Sequence, residues 1–143
     1  MKKLIVIALV FALTVMSVFA QGSGEQAPKG TPENKWVIGI SQPTMTHPIR
    51  KAANVLIEEW LQDNPNVEII VTDGQLKADK QIADIEYFVE NGFDIIIVAP
   101  NEAAALTPTI KKVYESGMPV ITFDRNIIGN SYTARVGVDN VDM

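Results

Sequence analysis

No cysteine occurs in the 143 residues, and His47 is the only histidine. Disulfide stapling is therefore excluded. A zinc site of the Cys/His kind is excluded with it, and the acids are too scattered to replace one. A nucleophile–base pair has only His47 to draw on, and its place directly before Pro48 suits a helix start better than a base. Glycine is missing from "SQPTMTHPIR" (41–50), the turn between the first strand and the first helix. Phosphate cradles need the backbone to approach the ligand closely at such a turn, so neither a P-loop nor a dinucleotide-binding turn fits. These absences lead us to expect no catalytic residue, no cofactor and no metal.

Basic side chains are also scarce. The chain has 12 Lys+Arg against 17 Asp+Glu. Residues 1–20 hold two of the lysines and no acid, so the remainder keeps 10 basic and 17 acidic side chains, a formal charge of −7. Nucleic acid is an unsuitable partner, because its affinity comes mainly from basic groups on phosphates. An anionic membrane surface is unsuitable for the same reason. The acidic balance is explained by solubility.

The opening "MKKLIVIALVFALTVMSVFA" pairs Lys2 and Lys3 with an apolar run from Leu4 to Phe19 and small residues at its end. This is the pattern of a secretory signal peptide cleaved after Ala20. The run is shorter than the ~20 residues a spanning helix needs. No cysteine follows it for lipid attachment, so the mature protein is expected free in the periplasm, without membrane insertion. Residues 21–34, "QGSGEQAPKGTPEN", are polar and rich in Gly, Pro and Ser, and read as a flexible linker. Residues 35–143 have the composition of one modest globular unit.

Within that unit, strands and helices alternate. "WVIGI" (36–40), "VEIIVT" (67–72), "DIIIVA" (94–99) and "VITF" (120–123) read as strands, with "ARVGV" (134–138) a weaker fifth. Ile49, Ala52, Ala53, Leu56, Ile57, Trp60 and Leu61 keep helical spacing, which predicts a helix over 48–63 with Trp60 on its core stripe. Trp36, which begins a strand, is expected in the core too. A second stripe runs from Ala78 to Val89 and stops at Gly92; a third helix is expected to open at Thr107-Pro108 and stop at Gly117. Near-continuously apolar strands separated by helices predict an α/β fold with an open parallel sheet.

Ligands of such sheets sit beyond the carboxyl ends of the strands. Asp124 and Arg125 follow the strand "VITF" directly, and the polar segments 41–48, 73–75, 100–103 and 139–140 share that rim. As adjacent residues, Asp124 and Arg125 point in divergent directions and need not pair. A carboxylate accepts from neighbouring hydroxyls and a guanidinium donates to hydroxyl and ring oxygens, so a neutral polyhydroxyl ligand fits them.

The segments "VIGISQ", "VTDGQ", "IIIVAPNEAAAL", "GMPVITFDRN" and "VGVDN" resemble, in order and spacing, the periplasmic sugar-binding proteins of ABC importers. The likeness is to the ribose- and galactose-binding type and, within it, to the galactofuranose-binding kind. It covers residues 36–143. It implies the strand order 2-1-3-4-5, with the helix at 48–63 alone on one face, so that this face is covered only near strands 1 and 2. It implies that Asp124 and Arg125 bind sugar hydroxyls, with Gln42, Thr46, His47 and Arg50 contacting the sugar beside them; Ser41, Asn101, Asp139 and Asn140 on the same rim are further candidates. Ribose-type members carry a stacking aromatic where this chain has Ile49 or Arg50, whereas an arginine at the helix start is similar to the galactofuranose type. The implied partners are a monosaccharide, a membrane permease and its ATPase. The family has two lobes around a hinge, and the 143 residues correspond to the N-terminal lobe, with the second lobe absent. The same lobe also serves periplasmic sensing domains that feed a receptor or kinase.

Overall fold

The computed structural model describes residues 26–137. The expected signal peptide and the positions Asp139 and Asn140 lie outside the described residues.

Five strands, β1 (Trp36–Gln42), β2 (Val67–Asp73), β3 (Ile95–Val98), β4 (Val120–Phe123) and β5 (Ala134–Val136), form one sheet in the order β2-β1-β3-β4-β5. Every neighbouring pair is parallel. The connections from β1 to β4 run through α1 (Pro48–Asp63), α2 (Ala78–Glu90) and α3 (Ala103–Glu115). Parallel neighbours need such crossovers, and these are right-handed as a rule. The sheet order follows the sequence-based expectation, and so does the placement of the three helices.

Register sorts the strand residues by face. Gly39, Ile96 and Val120 align on one side, and Ser41, Val98 and Thr122 follow one step on. This face is sealed by α2 and α3: Phe88, Ile85, Leu106 and Ile110 pack over Ile96, Val98 and Val120, all at 1% exposure or less. Gly39 is part of the fit. A Cβ there would lie 2.5 Å from Cδ2 of Phe88, so only glycine lets that ring rest on β1. The end of α2 is set by Gly92, whose φ of +68° suits glycine. There Phe93 N–H donates to Phe88 O and Gly92 N–H to Val89 O. The two phenyl rings then meet at 4.7 Å, so one local motif both stops the helix and adds to the core.

On the opposite face, Ile38, Ile40, Ile95, Ile97 and Ile121 are only half-buried. Among the described residues, only α1 lies on this side. Its sheet-facing line is Arg50, Ala53, Asn54, Ile57 and Leu61, whereas Ile49, Leu56 and Trp60 are 70%, 63% and 48% exposed. The core reading of Trp60 is thereby corrected. The apolar stripe spans a wider arc than one helix–sheet contact covers, and Trp60 lies on its outer half. Trp36 is 42% exposed and also outside the core, because it stands at the strand's first position.

Two further expectations change. The third helix opens one turn before Thr107, at Ala103, so Pro108 lies inside it. Thr107 Oγ1 donates to Ala103 O and accepts from Ile128 N–H, tying that turn to the chain beyond β4. Residues 29–34, part of the segment read as flexible linker, form a turn with a Thr31–Asn34 bridge. Lys29 pairs with Asp94 at 2.8 Å and lies 5.7 Å from the Trp36 ring centre. Asp94 also accepts from Val37 N–H at 2.7 Å. Composition alone misses such a contact, because the partner, Asp94, is distant in sequence.

Candidate functional site

A cleft of about 550 Å³ opens at the carboxyl ends of β1 and β4, on the half-covered face. The β1–α1 loop supplies Thr46 and His47. The first turn of α1 supplies Arg50, and the end of β4 supplies Phe123, Asp124 and Arg125. His47 is the N-cap of α1, with Nδ1 accepting from Ile49 N–H at 3.4 Å, and Pro48 follows at the first helical position. Helix and loop thus bring Arg50 to the cleft floor, where its residue exposure is 8%.

Asp124 is the pivot. Arg50 Nη2 donates to its Oδ2 at 2.5 Å. The Arg50 guanidinium also lies 5.2 Å from the Phe123 ring centre, within cation–π range. The Asp124 backbone is in the left-handed region, φ +66°. Arg125 N–H reaches back to Phe123 O at 2.8 Å, closing a three-residue turn around it. Asp124 N–H continues the ladder to Val136 O at 2.8 Å. A non-glycine residue held this way costs energy and marks a place where the surroundings dictate the geometry. Here the turn lifts the carboxylate off the strand end, so that its side chain is 54% exposed to the cleft. Arg125 diverges from Asp124, and its Nη1 donates to Asn101 O at 3.1 Å. The divergence expected of adjacent residues is what the structure has, and the partner of Asp124 is Arg50, 74 residues away in sequence.

The positions named from sequence separate into two groups. Thr46, His47, Arg50, Asp124 and Arg125 all line the cleft. Ser41 and Gln42 do not, being 0% and 3% exposed. Ser41 lies on the sealed face, where its Oγ accepts from Gln81 Nε2. Gln42 lies under α1 and donates to Asn54 Oδ1 at 2.9 Å. Asn101 directs its amide to Leu76 O at 2.9 Å. Reading the loop as wholly polar rim overlooked that the strand runs on to Gln42 and carries both residues into the interior.

Ile49 and, from the rim segment 41–48, Pro43 and Thr44 also line the cleft, as do Phe123 and Leu76, which were not picked out from the sequence as site residues. For Phe123 a signal exists. Alternation along "VITF" puts Val120 and Thr122 on the sealed face, so Phe123 falls on the other one at the rim. Leu76 gives none. It reaches the cleft only because Gln75 and Leu76 adopt left-handed backbone, with Leu76 N–H bonded to Pro43 O at 2.7 Å.

Chemically, the cleft sets two guanidinium groups and one carboxylate over largely apolar walls. That combination recognises hydroxyl-bearing molecules that also present C–H surface. Among the described residues no three His, Asp or Glu side chains gather as a metal-binding group.

Comparison with known proteins gives this geometry its context. The ribose import binding protein of Bacillus subtilis is 25% identical over 143 residues, which is 99% of this chain and 47% of that protein. The galactofuranose-binding protein of Escherichia coli is 29% identical over 94 residues, 64% of this chain and 30% of that one. The chain therefore spans less than half the length of these relatives. Among solved structures, the fructose binding periplasmic domain of a hybrid two component system superposes with a TM-score of 0.71 at 33% identity, over 75% of this chain and 35% of that one. The family model described as a periplasmic binding protein domain matches residues 38–143, from the middle of β1 through every strand that builds the cleft. By fold, sheet order and sequence alike, the chain belongs to the periplasmic binding protein family.

Proposed function

We propose that this chain is the N-terminal lobe of an extracytoplasmic solute-binding protein of an ABC sugar importer. In that reading a monosaccharide binds over the Arg50–Asp124–Arg125 rim, a second lobe closes on it, and the loaded protein delivers it to a membrane permease driven by its ATPase. The family is one of binding proteins, not enzymes. The observation that carries the reading is the convergence of Arg50, Asp124 and Arg125 on one cleft, with Arg50 and Asp124 paired to each other and Arg125 held by the Asn101 carbonyl. Asp124 keeps one carboxylate oxygen for sugar hydroxyls while Arg50 occupies the other. Arg125 has donors to spare beyond the one given to Asn101, since a guanidinium carries five. Phe123 and Leu76 supply apolar surface for the C–H face of a ring.

A thermal-shift screen of the complete two-lobed protein against pentoses and hexoses, D-ribose, D-fructose and D-galactose among them, tests the reading, because a ligand that binds only the folded state raises Tm. No shift with any pentose or hexose at millimolar concentration would end it. Export forms a second test. Expression in a Gram-negative host should give a mature N-terminus at Gln21 in the periplasmic fraction, and uncleaved protein in the membrane fraction would contradict it.

A second reading is favoured by the likeness to the fructose-binding domain of a hybrid two component system. In it the same lobe senses a sugar and feeds a receptor or kinase. Stimulation of a permease's ATPase by the sugar-loaded protein supports import. Control of a kinase by the same sugar supports sensing.

A further inference from the structure

Gln81 lies in the first turn and a half of α2, and its side chain is fully buried. Its surroundings are built to hold it. Nε2 donates to Ala99 O at 3.0 Å and approaches Ser41 Oγ and Ser41 O at 3.3 and 3.4 Å. Oε1 accepts from Asn101 N–H at 2.7 Å. Gly74 makes room for it, since a Cβ there would lie 2.5 Å from Gln81 Cγ. One amide therefore joins the ends of β1 and β3 beside the end of β2. A buried amide satisfied at both ends is costly to disturb and holds its partners in one arrangement.

The link continues to the cleft. The peptide unit next to the N–H that Gln81 holds carries the Asn101 carbonyl, and that carbonyl accepts from Arg125 Nη1 at 3.1 Å. Asn101 Nδ2 in turn holds Leu76 O at 2.9 Å. Both Arg125 and Leu76 line the cleft, whereas Gln81 does not touch it. We infer that Gln81 is a positioning residue for the binding site: it fixes the Asn101 residue from beneath, and Asn101 aims Arg125 and Leu76 into the cleft. This deepens the sugar-binding reading and rests on it only for the last step, from a fixed Arg125 to affinity.

The experiment is nuclear magnetic resonance on the full chain, with calorimetric titration of D-ribose, D-fructose and D-galactose beside it. In the unsubstituted protein, the Asn101 amide should exchange slowly, and the Arg125 Nε–H group should be more ordered than that of exposed Arg135. An Asn101 amide exchanging at the rate of an open coil, or an Arg125 as mobile as Arg135, overturns the inference without any variant. Gln81→Met keeps the volume and removes all of these hydrogen bonds. It should speed Asn101 exchange at least tenfold, loosen Arg125 to the level of Arg135, and weaken the sugar that binds by about tenfold or more. Gln81→Glu keeps an oxygen facing the Asn101 N–H but sets a second oxygen against the Ala99 and Ser41 carbonyls, so it should restore Arg125 order only in part, and more at low pH, where the protonated carboxyl can donate. Wild-type exchange and Arg125 order in a folded Gln81→Met protein overturn the positioning role. If none of the three sugars binds the unsubstituted chain while Asn101 and Arg125 respond as stated, the positioning role stands and sugar binding by this lobe alone falls.

Discussion

The two faces of the sheet are made of the same kinds of residue and end in different states. On the α2/α3 face, Ile96, Val98 and Val120 are sealed beneath two helices. On the α1 face, Ile95, Ile97 and Ile121, their immediate neighbours in sequence, stay half-buried. The sealed face holds the stability. The half-covered face holds the cleft, because Arg50 descends from α1 and Phe123 projects from β4 on that side. Stability and binding are thus separated by strand parity: odd and even positions of one strand serve different ends.

The sharpest way to break the comparison is to remove a large side chain from each face. Phe88→Ala leaves a cavity under β1, and such truncations cost roughly 3–5 kcal/mol. Against the ~5–15 kcal/mol that holds a domain together, this should abolish cooperative unfolding or lower Tm by tens of degrees. Ile97→Ala removes a half-covered side chain and should cost well under half as much. Chemical denaturation of both variants measures the difference. Equal losses would show that the α1 face is as well sealed as the other.

The cleft should respond in affinity where the core responds in stability. Asp124→Ala deletes the acceptor shared by Arg50 and the proposed sugar. Hydrogen bonds to charged groups are worth about 1.5–3 kcal/mol, which corresponds to roughly tenfold to a few hundredfold in Kd. Asp124→Asn is the cleaner variant, since asparagine tolerates the positive φ that alanine resists. It should show a similar loss of affinity with less loss of stability. Lys111, exposed on α3 and paired with Glu115, is the control, and Lys111→Ala should leave Kd unchanged. Unchanged affinity in folded Asp124 variants would make the residue an ordinary loop charge.

Gly39→Ala sharpens the contrast within β1. The added methyl meets the Phe88 ring at 2.5 Å, and overpacking of this kind costs about 1–3 kcal/mol. Affinity should change little, because Gly39 faces away from the cleft. A neutral effect on stability would mean that the Phe88 ring has room to shift.

Much of this division was legible beforehand, and its limits are physical. Strand runs, helix spacing and the family resemblance led to the sheet order and to the sidedness of the helices. The charged pair after "VITF" pointed to the right end of the sheet. What stayed hidden was whatever depends on a partner distant in sequence. Nothing near Asp124 announces that Arg50 will hold it, and nothing near Gln81 announces a link to Arg125. Burial at strand ends was misjudged for Ser41 and Gln42, because polar residues read as rim whether or not the strand runs on. Trp60 was misplaced because helical spacing reports a stripe and not how much of its width a neighbour covers.

That last ambiguity yields the smallest and most local test. Leu56 and Ile57 are adjacent, similar in size, and members of one apolar pattern. Leu56 is 63% exposed on the outer side of α1, whereas Ile57 is half-buried toward the sheet. Leu56→Gln should change stability by no more than about 0.5 kcal/mol, as surface substitutions do. Ile57→Gln should cost about 1 kcal/mol or more, since it loses part of the ~1.5–3 kcal/mol that full burial of such a side chain supplies. The outer stripe of Ile49, Leu56 and Trp60 together with the half-covered strands makes a broad apolar surface, and such surfaces bind hydrophobic dyes or associate. Leu56→Gln should therefore lower dye fluorescence while leaving the unfolding midpoint in place. Measuring both variants at two protein concentrations separates the causes. If Leu56→Gln costs as much as Ile57→Gln at high concentration only, the outer stripe is covered by another copy in solution. If it costs as much at every concentration, α1 is buried on both sides and the asymmetry between the two faces is not a property of the folded chain.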